Sequence, residues 1–191
     1  MKNLFFDKKN EDASVKKNSR NELGLWIESC IAGVLVGLIA INIMPTTTII
    51  GESMSPTIKS RDSLIVNKLA YVKSEPSRGD VIVFGVNLKT KSREKKNLVK
   101  RVIGLPNEHL VIKDGAVYVD GAILKEPYLD SNYTEGNIDV VIQENNYFVM
   151  GDNRGASSDS RNALVGTIEE DNIEGKASLK YSSIKDIEII K

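Results

Sequence analysis

Hydrophobic positions along this chain change their pattern once. Over residues 25–44 they run together as LWIESCIAGVLVGLIAINIM, with a single charge, Glu28, near the start. Beyond that they come in short, β-branched runs: SLIVNKL (63–69), DVIVFGV (80–86), LVKRVIG (98–104), HLVIKDGAVYVDG (109–121), IDVVI (138–142), NYFVM (146–150) and ALVGTI (163–168). Gly, Pro, Asn or Asp bounds these runs, as expected of strands. Asp114-Gly115 between two alternating runs predicts a type I′ hairpin, and Asp120-Gly121 marks another turn. No helical period is sustained after residue 44. The pattern predicts a mainly β domain preceded by one apolar helix. The polar, basic stretch NLKTKSREKKN (87–97) is a solvated connection. Close to anionic lipid it would also help to hold the domain at a surface.

As a helix rising about 1.5 Å per residue, the apolar run spans roughly 30 Å, the thickness of a bilayer core. Glu28 and Asn42 sit near its ends, where polarity costs less, and Trp26 suits the interface. A cleaved secretory signal has a shorter apolar region, about 7–15 residues, followed by a small-residue cleavage site. LIAINIMP contains no such site, so the run is an anchor. Lys2, Lys8, Lys9, Lys16, Lys17 and Arg20 precede it, and the next basic residue is Lys59. That asymmetry puts residues 1–24, a polar tail, in the cytoplasm, 25–44 across the membrane and 45–191 outside. With no second hydrophobic span, the remainder is soluble or peripheral.

Composition narrows the chemistry. A formal net charge of +0 gives no sign of a nucleic-acid partner. One cysteine, Cys30, excludes an internal disulfide and a cysteine zinc cluster. A Ser-His-Asp triad would have to use the single histidine, His109, which reads as a surface loop or strand residue.

Three stretches carry candidate chemistry. GESMSPT (51–57) places Ser53 just beyond the apolar run. A serine hydroxyl needs a base to take its proton, and with histidine scarce the base is a lysine kept neutral by its surroundings. Lys100 is the candidate. Strand alternation puts it on one face with Leu98 and Val102, and Val99, Arg101 and Ile103 on the other. An inward lysine can also snorkel to solvent. GDNRGASSDSRNALVG (151–166) is either a polar turn held by Asx-type bonds or a source of groups that orient a base.

Taken in order, GESMSPT, RGDVIVF (78–84), VKRVIGLP (99–106) and GDNRGASSDSR (151–161), behind one anchor, closely resemble the type I signal peptidase family of bacteria, in its compact Gram-positive form. The resemblance reaches about residue 180 and includes GKASLKYSS. It implies a compact antiparallel β-sheet catalytic domain with the signal peptidase/LexA-like fold. It also implies Ser53 as nucleophile and Lys100 as general base. Ser157 would position the lysine amine, Asp159 and Arg161 would form a supporting ion pair, and Asp152 would be a structural acid. Ile49, Met54, Ile58 and Val99 would line two shallow pockets that accept alanine and exclude bulkier residues. Substrates would be secretory preproteins, bound as an added β-strand and cut after Ala-x-Ala-like sites at the membrane surface. An apolar surface dipping into membrane lipid is implied as well. Some relatives carry a serine two residues before the nucleophile; here that residue is Gly51, so a backbone group or water must serve the oxyanion. The chemistry requires no metal or organic cofactor, and chelators should leave activity intact.

Two other readings use the same residues. A self-cleaving repressor-type protease shares the Ser-Lys pair but would need a DNA-binding domain and no anchor. A tethered β-domain that only binds peptides would keep its role after Ser53→Ala, whereas an enzyme would lose turnover.

Overall fold

The computed structural model describes residues 24–38, 41–86, 96–183 and 186–190. Two units meet after Asn42. The polar tail over 1–23 and the basic stretch over 87–95 lie outside the described residues.

Helix α1, Gly24–Ile43, is long and apolar enough to cross a membrane, one residue earlier at each end than the sequence pattern suggested. Trp26, Ile31, Val34, Leu35 and Leu38 are all exposed along it, so it has no single core-facing stripe. Polar groups near its ends fold back on the helix. Ser29 Oγ donates to Leu25 O and Asn42 Nδ2 to Leu38 O, each at 2.8 Å.

From Ile43 onward the chain forms two antiparallel sheets. Strands β1 (Thr46–Thr48), β2 (Ser63–Asn67), β3 (Val81–Val86), β4 (Lys96–Gly104), β9 (Asn146–Met150), β10 (Ile168–Glu169), β11 (Ile173–Tyr181) and β12 (Ile187–Ile189) make the larger one. Its order is β1-β2-β11-β3-β4-β9-β10, with β12 added to β11. Strands β5 (His109–Lys113), β6 (Ala116–Val119), β7 (Ala122–Ile123) and β8 (Ile138–Val141) form the smaller sheet, ordered β7-β6-β5-β8. Both Asp-Gly turns occur where the sequence placed them. Asp114 and Gly115 have φ of 53° and 78°, the left-handed pair that a type I′ turn needs.

Strand β3 is buried along its whole length because both faces of the large sheet are covered. Val81 and Val83 pack with Met54, Ile58 and Leu64, whereas Ile82 and Phe84 pack with Val102, Tyr147 and Val149. A third cluster joins the sheets: Ile103 and Phe148 from the larger, Leu110, Ile112 and Val117 from the smaller.

Two regions depart from the sequence pattern. The expected strand over 163–168 is a turn until Ile168, because Asn162 captures the local N–H groups. Its backbone O accepts from Val165 and Gly166 at 2.9 Å, and its Oδ1 accepts from Leu164 at 2.9 Å. Conversely, β11 is a central strand built from IEGKASLKY, whose apolar residues do not alternate cleanly. Its pairing with β2 shifts register between Ala177 and Leu179.

Candidate active site

Ser53 lies in the loop from β1 to β2. Ile49 N–H to Asp62 O and Arg61 N–H to Ile49 O, each at 2.9 Å, close that loop at its base. Met54 and Ile58, 1% and 0% exposed, plug into the core beneath it. Buried anchors on an exposed loop leave Ser53, next to Met54, little freedom to move.

Lys100 arrives on β4. Arg101, opposite Met150, is the first residue of β4 paired with β9, so Lys100 stands where that edge of the strand opens. The lysine is 3% exposed, and its Nζ lies 2.7 Å from Ser53 Oγ and 3.0 Å from Val99 O. At that distance an uncharged amine can take the hydroxyl proton directly.

Arg101 does not join this pair. Its Nε and Nη2 donate to Asp152 Oδ1 and Oδ2 at 2.9 and 2.7 Å, and its Nη1 donates to Gly79 O at 2.7 Å. Thr57 Oγ1 donates to the same Asp152 carboxylate, tying the nucleophile loop to it. The acid expected at position 152 therefore links the Ser53 loop, β4 and the 151–161 loop. Spacing along the chain could not show this, since Thr57 and Asp152 are 95 residues apart.

Asn153 N–H donates to Ser53 O at 3.1 Å, which docks the 151–161 loop on the nucleophile. The expected Asp159–Arg161 ion pair forms, with Arg161 Nε 2.9 Å from Asp159 Oδ1. Burial of Asp159 favours its neutral form. Hydrogen bonds from Arg161, from Gly151 N–H at 3.0 Å and from the Ser157 hydroxyl outweigh it and hold the carboxyl below its usual value. The Ser157 contact is a loose one: its Oγ is buried with no partner in normal hydrogen-bond geometry. The expected hydrogen bond to the Lys100 amine is therefore not made. Instead Ser157 lies against Gly151, its Oγ 2.3 Å from where a Cβ there would sit.

A groove at Ser53 is lined by residues 47–54 and 97–100, together with Val83, Ala156 and Ser158. Ile49, Met54 and Val99 line it as expected. Ile58 does not, because it is spent on the core. His109 lies on β5, half exposed, with Nε2 2.7 Å from Asp139 Oδ1 and no role beside Ser53.

A family model described as signal peptidase, peptidase S26, matches residues 23–182. Signal peptidase IB from Staphylococcus aureus is 35% identical over 181 residues, covering 85% of this chain and 91% of its own. Signal peptidase I from Bacillus licheniformis is 32% identical over 183 residues, covering 89% and 94%. A crystal structure of a signal peptidase I from Enterococcus faecalis is 31% identical with a TM-score of 0.46, covering 54% of this chain and 97% of that one. The chain thus belongs to the signal peptidase family, peptidase S26, and is a serine peptidase that acts in the removal of signal peptides.

Proposed function

We propose that this protein is a membrane-anchored endopeptidase that cleaves secretory preproteins after small-x-small sites, with Ser53 as nucleophile and Lys100 as general base. The observation that carries this reading is the 2.7 Å approach of Lys100 Nζ to Ser53 Oγ at a lysine only 3% exposed.

Neutral Lys100 takes the Ser53 proton as Oγ bonds to the scissile carbonyl carbon, giving a tetrahedral oxyanion. Collapse breaks the C–N bond, and the protonated lysine delivers its proton to the leaving amine, the new N-terminus of the mature chain. Water, deprotonated in turn by Lys100, attacks the acyl-enzyme. The signal peptide leaves as a carboxylate, and the Ser53 hydroxyl is restored. Among the described residues the Ser53 N–H has no acceptor, which suits it to receive the oxyanion. Ser157, whose buried hydroxyl has no well-formed bond to the amine or to any other group, would steady the amine only by turning toward it during the reaction. Asp159–Arg161 and Asp152–Arg101 hold the loops around it.

Substrate binding as an added strand is supported by two open backbone edges facing one groove. Strand β1 ends the large sheet, and β4 lacks β9 as a neighbour before Arg101. Side chains of Ile49, Met54 and Val99 beside the groove favour small residues at the −1 and −3 positions, since larger ones would overpack it. The lysines and arginine before α1 support a cytoplasmic N-terminus and a catalytic unit outside, at the lipid surface.

The test is cleavage of a detergent-solubilised preprotein by the full-length chain, with intact-mass analysis of both products. Wild type should cut once, after a small-x-small site, and folded Ser53→Ala and Lys100→Met should not cut. A cut that survives Ser53→Ala would sink the assignment of the nucleophile.

A further inference from the structure

The 151–161 loop is gripped by a segment that the proposed chemistry does not use, residues 124–137 between β7 and β8. Arg154 reaches into it from a single 3-10 turn, Arg154–Ala156. Its Nη2 pairs with Glu126 Oε1, and its Nη1 donates to Glu126 Oε2 at 3.0 Å and to Thr134 Oγ1. Its Nε turns back to Gly151 O at 3.1 Å. The ion pair is buried, with the side chains of Arg154 and Glu126 4% and 7% exposed.

A second line runs from the same carboxylate to β4. Tyr128 OH donates to Glu126 Oε1 at 2.8 Å, and the Tyr128 ring lies 4.0 Å from the guanidinium of Arg101, the residue after Lys100. Burial, then the nearby Glu126 carboxylate, raise the phenol's pKa and keep it protonated as a donor.

We propose that Glu126 is a positioning residue for the Ser53–Lys100 pair, acting through Arg154 on the Gly151 backbone and through Tyr128 on Arg101. The first path ends where there is no slack. A Cβ built on Gly151 would sit 2.3 Å from Ser53 O and 2.3 Å from Ser157 Oγ, so a shift of Gly151 is passed directly to the nucleophile's backbone. Removing the Glu126 charge leaves a buried guanidinium that must find water or another carboxylate, and either choice pulls on Gly151 O. The second path lets the same event disturb Arg101 and, through the peptide bond, Lys100. Catalysis is sensitive to such motion, since a misplacement of about 1 Å can cost on the order of a hundredfold in rate.

This inference rests on the Ser53–Lys100 reading, and its test separates the two. Full-length wild type, Glu126→Gln, Tyr128→Phe, Glu108→Gln and Ser53→Ala are compared in detergent for kcat, KM, pH–rate midpoint and Tm. Glu108 pairs with Arg78 at the β4–β5 turn and serves as a control for simply losing an ion pair. Glu126→Gln should lower kcat about tenfold or more, leave KM within about twofold and displace the pH–rate midpoint as the Ser53–Lys100 geometry loosens. Tyr128→Phe keeps the ring under Arg101 and should shift both quantities the same way by less. It decides the question if Glu126→Gln fails to fold. Glu108→Gln should lower Tm with kcat and midpoint unchanged. A folded Glu126→Gln or Tyr128→Phe that behaves like Glu108→Gln overturns the positioning role. Turnover retained by Ser53→Ala overturns the dyad itself, whatever Glu126 does.

Discussion

Arg101 holds Asp152 by two hydrogen bonds, Nε to Oδ1 at 2.9 Å and Nη2 to Oδ2 at 2.7 Å, with the two side chains 1% and 0% exposed. Arg101 follows Lys100 directly, and Thr57, four residues after Ser53, donates to the same carboxylate. One acid thus fixes the base's strand to the nucleophile's loop. Removing one partner of a buried pair strands the other, which costs about 3–5 kcal/mol. Asp152→Ala should lose stability of that order in urea unfolding and lose turnover with it. A loss under about 1 kcal/mol would mean that water replaces the carboxylate.

Gly151 makes a different prediction, because its constraint is space. Gly151→Ala would drive a methyl group into Ser53 O and Ser157 Oγ, both 2.3 Å from the ideal Cβ position. One of those atoms is backbone and cannot rotate away. The variant should keep most of its β structure by circular dichroism and lose on the order of a hundredfold in kcat.

Acid stability should carry the mark of Asp159. Its folded carboxyl lies below the usual value despite burial, chiefly through Arg161 and Gly151 N–H. A depressed carboxyl pKa contributes stability above its unfolded value, about 3.9, and loses that contribution as pH falls through the folded value. Asp159→Asn should therefore be less stable than wild type at neutral pH, with the difference shrinking as the solution is acidified below about pH 4. Denaturant midpoints measured across pH check this. A difference that grows on acidification would contradict it.

Activity should rise with pH, because ammonium at Lys100 cannot accept the Ser53 proton. The neutral amine 2.7 Å from Ser53 Oγ is the form that acts, so the acid limb of the profile should belong to Lys100. The pH dependence of kcat/KM checks this. The same profile surviving in an active Lys100→Met variant would assign the titration to another group.

The membrane-length run and the strands were legible because each depends on neighbours in the chain. A twenty-residue, mostly apolar run is a property of the sequence itself, and the Asp-Gly turns need only two residues able to adopt left-handed backbone. Residues 163–168 misled for a local reason that apolar counting ignores, the capture of N–H groups by Asn162. Strand β11 was silent because its place is decided by β2 and β3, which lie far from it in sequence.

For the site, the sequence by itself determined which residue types stand in which motifs, and hence Ser53 and Lys100 as a candidate pair. Their meeting is decided by tertiary structure: β4 loses β9 as a partner at Lys100, and the buried Met54 and Ile58 hold the Ser53 loop over it. The resemblance implied Ile58 as a pocket residue, and only packing makes it core. Thr57, Arg101, Arg154 and Glu126 gain their roles from partners 28 to 95 residues away. Local pattern records what each segment can bury. Which charges face each other once it is buried is settled only when the sheets close and water leaves between them.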